Sequence, residues 1–250
     1  MTISSESRLR EIAAGEGMFA LGVADLEDAA VREVIVSQGG EWLTSFSRAV
    51  SLAYRLQDGI VDRLPDGHRD PSTVRFYDEH VYRAVNRRLE AAGMKVAEFL
   101  GGAGHGALVI PSSLYVEENR LAGHLPHKMA ANLAGLGWIG KNALLVTRKA
   151  GPRVRLITVL TDAPLRSGTI EAGESTSGRT GPGKDYCGTC ERCVEVCPAG
   201  AVVGHSFAVG EDVAQRVDVA ACRDYRTAGK KELGGLGCGL CVAVCPHGQA

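Results

Sequence analysis

The first 186 residues contain no cysteine, and all eight cysteines lie between Cys187 and Cys245. The chain also lacks a charge excess, since 28 basic and 29 acidic side chains give a net charge of −1, which excludes a strongly electropositive protein. No apolar run approaches the ~18 residues that span a bilayer. Residues 1–17 have no apolar stretch after their charged side chains, unlike a secretory signal. We therefore expect a cytoplasmic protein with no membrane partner.

The composition is typical of an ordinary soluble globular protein. Of the 250 residues, 45% are hydrophobic and 23% are charged, which fits one large domain or two modest ones. Because the cytosol is reducing, a framework of disulfides would be unusual in such a chain. The concentration of all cysteines in one segment therefore favours metal binding.

Hydrophobic patterns divide the first hundred residues into helices and strands. Residues 7–16 carry apolar side chains at helical spacing, and residues 18–26 and 47–56 are typical of strands. Residues 58–74 are rich in Asp, Gly, Pro and His and are predicted to form a polar loop. Residues 77–100 are predicted to form a long amphipathic helix whose apolar stripe faces the core.

The next sixty residues continue the alternation of strands and helices. Residues 106–111, 142–148 and 153–162 are predicted strands, the last two joined by a turn, and residues 127–137 are predicted to form a short helix. Strands that alternate with helices indicate a sheet with helices packed against it. The fold class expected for this part of the chain is therefore α/β (α+β).

A change of composition separates this part from the cysteines. Residues 166–186 are rich in Gly, Ser, Thr and charged side chains, which is typical of a linker or a surface loop. The predicted organisation is an α/β domain at 1–165, a linker or loop at 166–186, and a ferredoxin-like domain at 187–250.

The cysteine segment contains two versions of one spacing. Residues 187–198 follow C-x2-C-x2-C-x3-C-P, and residues 238–246 follow C-x2-C-x3-C-P, with Cys222 upstream as a fourth ligand. Three thiolates at this spacing can wrap one 4Fe–4S cubane, whereas the cysteine of the C-P step binds the other cubane in two-cluster ferredoxins. The spacing therefore predicts two 4Fe–4S clusters. The predicted ligands are Cys187, Cys190, Cys193 and Cys245 for cluster I, and Cys197, Cys222, Cys238 and Cys241 for cluster II.

Structural zinc and disulfides are the two other uses that these cysteines could have. Structural zinc would need two sites of four thiolates, but zinc sites rarely have three cysteines this close together followed by C-P. Disulfides conflict with the absence of an export signal. Two clusters use all eight cysteines, so this interpretation is preferred.

The segment 126–165, with glycines crowded around Trp138, is the candidate acceptor site for electrons. Its glycines would let the backbone approach a flat ligand closely. They also match G-x-G-x-x-G, but a helix precedes them and a strand follows, the reverse of the order in a dinucleotide-binding fold. The candidate cofactor-binding residues are Gly135, Gly137, Trp138, Gly140, Lys141 and Asn142.

Several motifs in one order resemble the epoxyqueuosine reductase family and, more distantly, the corrinoid/iron–sulfur reductive dehalogenases. They are AGLGWIGKNALL at 134–145, GPRVRL at 151–156, LTDAPL at 160–165 and the double cysteine motif. The resemblance implies that two clusters pass electrons to a base-off cobalamin held in the α/β domain. It also implies that residues 135–142 lie near the corrin or near the clusters. In epoxyqueuosine reductases the substrate is the epoxide of a modified nucleoside in a tRNA anticodon.

The resemblance further implies a proton donor, which opening of an epoxide requires. The family carries an acidic residue shortly before AGLGW, but here residues 121–124 read LAGH, without a carboxylate. Imidazole titrates in a suitable range, so His124 and His127 are candidates, and His127 is the one predicted to be catalytic. The alternative role for each is that of a loop or capping histidine.

The C-terminal end resembles short members of the family. The chain stops five residues after Cys245, without the helical repeats that help the tRNA-acting members to hold RNA, and no basic, aromatic-rich segment replaces them. The expected substrate is therefore a small molecule or a modified nucleoside, with tRNA as a less favoured partner. An external donor of ferredoxin or flavodoxin type is expected to supply the electrons.

The cysteine motifs and the family resemblance are compatible with three functions. The first is a cobalamin-dependent iron–sulfur reductase, and the second is a two-cluster protein that reduces a partner's redox centre without chemistry of its own. The third is a corrinoid-binding or trafficking module. Binding of a corrinoid separates the first and third from the second, and substrate turnover separates the first from the third.

Overall fold

A computed structural model describes most of the chain. The described residues are 5–113, 123–170, 186–207, 211, 215–228 and 238–249. Most of the predicted linker, residues 171–185, lies outside this set. Within the described residues, no helix combines the length and the apolar character needed to cross a membrane.

Helices and strands alternate along the described residues, which confirms the predicted fold class. The helices are α1 Ser5–Gly15, α2 Ala29–Gly39, α3 Asp58–Val61, α4 Leu64–Gly67, α5 Pro71–Asp78, α6 Val85–Gly102, α7 His127–Leu133, α8 Arg192–Glu195, α9 Val219–Ala228 and α10 Leu240–Ala243. The strands are β1 Ala20–Asp25, β2 Arg48–Arg55, β3 Ala107–Ile110, β4 Trp138–Ile139, β5 Leu145–Val146, β6 Val154–Thr161 and β7 Gly168–Thr169. Short 3₁₀ segments at Glu41–Ser45 and Pro246–Gly248 and a π-helical segment at Glu79–Ala84 complete the described elements.

The chain divides into two compact units, each assembled from three separate stretches. The first unit comprises Met1–Tyr54, Asn86–Gly137 and Arg155–Pro182, and the second comprises Arg55–Val85, Trp138–Val154 and Gly183–Ala250. The sequence analysis divided the chain into consecutive domains instead. The cysteines thus share a compact unit with two earlier stretches of the chain.

The first unit contains a five-stranded sheet in the order β3-β6-β2-β1-β7. The pairs β1–β2, β1–β7 and β3–β6 are antiparallel, with Val23 opposite Val50 and Val109 opposite Val159. The central strands β1 and β2 are almost entirely buried because their side chains are apolar on both faces. Strand β7 lies inside the stretch predicted to be a linker.

The apolar stripe predicted for the long helix is buried, as expected. Its side chains are Val81, Val85, Leu89, Ala92, Val96 and Leu100. The helix itself is interrupted, since α5 is followed by the π-helical segment and then by α6.

One prediction about local structure was wrong. Residues 58–74 do not form a polar loop but contain α3, α4 and the start of α5. The Asp70 side chain accepts a hydrogen bond from the Thr73 N–H, which caps α5, and buried apolar side chains between the polar ones hold these short helices.

The strand predicted at 142–148 is confirmed in a shorter form. It is β5, which pairs with β4 in a separate two-stranded sheet. The predicted turn follows it, closed by backbone hydrogen bonds between Thr147 and Gly151.

Helix α2 was not predicted. The Asp28 side chain accepts hydrogen bonds from the N–H groups of Ala30 and Val31, which satisfies backbone donors that the helix start would otherwise leave free. On α2, Val31 and Ile35 are buried. Their spacing of four residues is a helical signal, and Asp28 before it marks the N-terminus.

Candidate metal centre

All eight predicted cysteine ligands lie in the second unit as free thiols of intermediate exposure. Cys193 is in α8, Cys222 in α9 and Cys241 in α10. The remaining cysteines flank these helices. Helices α8 and α10 each lead into a Cys-Pro step, so the last cysteine of each motif follows the end of a short helix.

Electrostatic interactions join four of the thiols into one group. Burial raises the pKa of the Cys245 thiol to about 11. The sulfurs of Cys187, Cys193 and Cys190 raise the pKa of Cys245 further. Burial also raises the pKa of Cys193, and Cys187 and Cys190 add to that effect. These four are the predicted ligands of cluster I.

The other four thiols form a second group. Burial raises the pKa of Cys222, and the sulfurs of Cys238 and Cys197 raise it further. Burial raises the pKa of Cys241 strongly, and among the thiols Cys238 and Cys222 raise it most. These four are the predicted ligands of cluster II. Cys193 of the first group also raises the pKa of Cys241, so the two groups are neighbours.

The donor chemistry of these groups suits iron–sulfur clusters, since 4Fe–4S clusters take four thiolates each. Among the described residues, no three His, Cys, Asp or Glu side chains converge closely enough to hold a single metal ion. The argument for clusters therefore depends on the spacing of the cysteines and on their division into two groups of four.

The backbone around Cys197 is organised by a hydrogen bond to sulfur. The Ala201 N–H donates to Cys197 Sγ at 3.3 Å. Beside it, Cys193 and Cys197 pack against a small apolar cluster formed by Ala143, Val202 and Val217. Hydrogen bonds to ligand sulfurs are one of the factors that set the reduction potential of a cluster.

The predicted cofactor-binding residues from Trp138 to Asn142 lie in the cysteine-bearing unit. A Cβ atom added at Gly140 would lie 2.8 Å from Val146 Cγ2 and 3.6 Å from Cys187 Sγ. The glycine therefore lets the backbone pass close to Val146 and Asn142, and it brings this backbone into van der Waals range of the Cys187 sulfur. The Asn142 Nδ2 donates to the Cys241 carbonyl at 3.2 Å.

Trp138 is buried between the flanks of two cysteines of the first group. Its ring centroid lies 4.9 Å from that of Tyr186 and 4.8 Å from that of His247. Tyr186 precedes Cys187, and His247 follows Cys245 by two residues. The indole N–H is buried, and among the described residues it has no hydrogen-bond partner. A cluster sulfur is an acceptor of the kind that this donor lacks, so the residue fits a neighbouring cluster.

Gly135 and Gly137 lie in the first unit, at the end of α7. Gly135 has a φ of 78° and forms part of the turn after the helix. The Gly137 carbonyl accepts a hydrogen bond of 2.7 Å from Asn132 Nδ2. For all six predicted residues of this segment, a direct contact with a cofactor stays a prediction.

His127, the predicted catalytic residue, begins α7 and has both ring nitrogens engaged. Nε2 lies 3.0 Å from the Pro111 carbonyl and Nδ1 lies 2.9 Å from Thr158 Oγ1. Because a carbonyl only accepts, Nε2 carries the proton and the Thr158 hydroxyl donates to Nδ1. Burial lowers the pKa of His127 to about 4, and the positive charge of Arg155 adds to this effect. A catalytic role for His127 stays a prediction.

Sequence reasoning missed an ion-pair network behind the cysteines. The buried Arg153 guanidinium lies 2.8 Å from Asp58 Oδ1 and 2.6 Å from Asp62 Oδ1. It also donates to the Ala243 carbonyl of α10 at 3.5 Å. Burial lowers the pKa of Arg153, but the hydrogen bonds that it donates to the Asp62 and Asp58 carboxylates, together with their charges, outweigh this effect and raise the pKa. Arg153 and Asp58 are 95 positions apart in the chain, and no sequence pattern indicates that they pair.

A close approach at Gly239 was also missed. Gly239 has a φ of 68°, and an added Cβ would lie 2.6 Å from Tyr77 Oη and 2.7 Å from Leu64 Cδ1. The glycine between Cys238 and Cys241 therefore lets α4 and α5 pack against the second cysteine motif. The signal in the sequence for this close approach is the glycine of the C-G-x-C motif.

Residues 186–248 match the family model described as the 4Fe-4S double cluster binding domain. This match identifies residues 186–248 as a segment that binds two 4Fe–4S clusters, and it confirms the predicted pair of clusters.

The chain is also similar to curated epoxyqueuosine reductases, which confirms the predicted resemblance. It is 33% identical to the Leadbetterella byssophila enzyme over 130 residues, covering 48% of this chain and 36% of that one. It is 34% identical to the Atelocyanobacterium thalassa enzyme over 141 residues, covering 55% and 41%. The matched segments thus span less than half the length of these relatives.

Solved structures of two kinds share the fold. An epoxyqueuosine reductase determined with an epoxyqueuosine-modified tRNA-Tyr stem loop gives a TM-score of 0.59 at 18% identity, covering 97% of this chain and 65% of that one. A reductive dehalogenase, described with a mechanism for B12-dependent dehalogenation, gives 0.67 at 20% identity, covering 98% and 32%. At these identities the likeness establishes the fold.

Proposed function

We propose that this protein is a cobalamin-dependent iron–sulfur reductase resembling the epoxyqueuosine reductases. The observation that carries the proposal is the division of eight thiols into two groups of four, beside the Trp138–Asn142 stretch of the same unit. When bound, the clusters supply one-electron transfer and cobalamin supplies a cobalt centre that accepts those electrons.

The chain's own residues support the cluster half of this proposal. Cys187, Cys190, Cys193 and Cys245 would hold cluster I, and Cys197, Cys222, Cys238 and Cys241 would hold cluster II. The Ala201 N–H would donate to a ligand sulfur, and Gly140 lies beside the Cys187 sulfur. These contacts hold sulfur positions in place, which electron transfer between two clusters requires.

The cobalamin half is supported by the relatives. The curated relatives are named epoxyqueuosine reductase, and one structural neighbour is described with B12-dependent dehalogenation. We propose a small molecule or a modified nucleoside as the substrate, with tRNA as a further candidate because one neighbour was determined with a tRNA stem loop. A ferredoxin or flavodoxin would serve as electron donor.

Iron analysis tests the clusters. The anaerobically reconstituted chain should contain about eight irons and eight acid-labile sulfides, the content of two cubanes. Replacing Cys245 by Ser, or Cys222 by Ser, should each remove about four irons, because the two residues belong to different groups. Stoichiometric zinc, or four irons in the unaltered chain, would contradict the cluster assignment.

A corrinoid titration tests the enzyme proposal. Addition of cob(II)alamin to the reconstituted protein should give a base-off spectrum, and substrate turnover should follow with a chemical reductant. An unchanged base-on spectrum would favour the second candidate, a two-cluster electron carrier. The observation that favours this candidate is that Trp138, Lys141 and Asn142 are buried within the cysteine-bearing unit.

A further inference from the structure

Lys141 is a buried cation in the cysteine-bearing unit. Its side chain is 8% exposed, and its Nζ lies 4.0 Å from Glu191 Oε1, the outer limit of an ion pair. The Glu191 side chain is 59% exposed, so water screens its charge. A buried ammonium loses its hydration and needs a compensating charge. The distant, solvated carboxylate compensates it only in part.

The neighbours of Lys141 place it among the thiols of the first group. Gly140 faces the Cys187 sulfur at the distance of van der Waals contact, as judged from an added Cβ. Glu191, whose carboxylate lies 4.0 Å from the Lys141 Nζ, stands between Cys190 and Cys193 in the chain. The four thiolates of a bound cluster would therefore supply the negative charge that the ammonium lacks.

We propose that Lys141 is an electrostatic positioning residue for electron transfer, whose ammonium stabilises the reduced form of cluster I and raises its reduction potential. Reduction adds one electron from an external donor to the cluster, with no proton transferred, so the cluster becomes more negative by one charge. A fixed cation in a poorly solvated site stabilises that added charge. The inference rests on the proposed ligands of cluster I, and it is independent of cobalamin and substrate.

Arg226 provides the matched cation on the other group of thiols. It follows Cys222 by four residues on α9, so the two side chains are neighbours on one face of that helix. Its guanidinium lies over the Tyr82 ring at 5.4 Å, and its Nη2 donates to the Tyr82 hydroxyl at 3.0 Å. Since Arg226 is more exposed than Lys141, water weakens its effect on cluster II. Two cations thus act on two different clusters.

An anaerobic redox titration followed by electron paramagnetic resonance tests the proposal on the reconstituted full chain. Lys141→Met should make one of the two reduction steps at least tenfold less favourable, which is 59 mV for a one-electron couple. Lys141→Arg, which keeps the charge, should restore most of that shift. Arg226→Met should move the other step by a smaller amount, and the double variant should move both.

Iron content separates the possible failures. Eight irons with both steps unshifted in Lys141→Met, or with both shifted equally, would overturn the inference while the clusters stand. Four irons in the unaltered chain would instead overturn the cluster assignment. If Lys141→Met fails to assemble a cluster, Glu191→Gln provides the second test, since removal of the opposing carboxylate should make the same step easier to reduce. No shift in Glu191→Gln would also overturn the inference.

Discussion

The imidazole of His127 should titrate far below the ordinary range in the folded protein. Unperturbed histidine has a pKa near 6.5, whereas burial lowers that of His127 to about 4. Protonation would also add a proton to Nδ1 and break the hydrogen bond that Thr158 donates to it. At pH 7 roughly one molecule in a thousand would carry an imidazolium at this position.

This difference makes stability depend on pH in a defined window. Above pH 6.5 the imidazole is neutral in both the folded and the unfolded chain. Between pH 6.5 and 4 the unfolded chain binds the proton and the folded chain does not, so the free energy of unfolding falls as pH falls. The whole window corresponds to roughly 3 kcal/mol, and the step from pH 7 to pH 5 to about 2 kcal/mol.

Two measurements check this prediction. In protein with ¹³C-labelled histidine, the resonance that disappears in His127→Gln should have a midpoint near pH 4. On going from pH 7 to pH 5, the unaltered chain should lose about 2 kcal/mol more stability than His127→Gln. Acid lability of the clusters is common to both proteins and cancels in this difference. A midpoint above pH 6, or equal losses in both proteins, would refute the reasoning.

Two further substitutions test the contacts that support the cysteine motifs. Gly239→Ala should cost about 1–3 kcal/mol in thermal unfolding and reduce iron content, because it strains a positive φ and presses a Cβ against Tyr77. Replacing Asp58 and Asp62 together by Asn should cost about 3 kcal/mol in urea unfolding, since it leaves the buried Arg153 charge uncompensated. This value is at the low end for a buried pair because both carboxylates are more than a third exposed.

Matched controls exist for both substitutions. Gly59→Ala lies in open space within the same unit and should change stability little. Glu11→Gln removes one partner of an exposed ion pair with Arg8 and should change stability by less than about 1 kcal/mol. If either test substitution behaved like its control, the corresponding contact would not hold the cysteine motifs in place.

The parts of the structure that the sequence could predict are those with short-range signals. The apolar stripe from Val81 to Leu100 repeats at helical spacing, and strands β1, β2, β3 and β6 are compact apolar runs. The cysteine spacing likewise encodes its chemistry within a dozen residues. Each of these signals is contained in one continuous stretch, which is why reading along the chain finds it.

The remaining features depend on contacts between distant stretches. Helices α3 and α4 are four residues each, too short to be stable alone, and they form because Ile60, Val61 and Leu64 are buried. Because polar residues surround these three side chains in the sequence, the pattern predicts a loop as long as the burial of the three is unknown. The pairing of β5 with β4 was missed for the same reason, since two-residue strands carry no alternation to recognise.

The composition of the cysteine segment explains why it shares a unit with two earlier stretches. In residues 186–249 the described buried apolar side chains are few and mostly small: Ala201, Val202, Val217, Leu240, Val242 and Ala243. A segment of this size buries too little apolar surface to be stable without metals or added contacts. The stretches Arg55–Val85 and Trp138–Val154 add large buried side chains, among them Leu64, Tyr77, Trp138 and Leu145. The stretches that pack around the cysteines therefore also supply the polar and charged side chains near them. The electrostatic environment of each cluster thus depends on residues far from the cysteine motifs in the sequence.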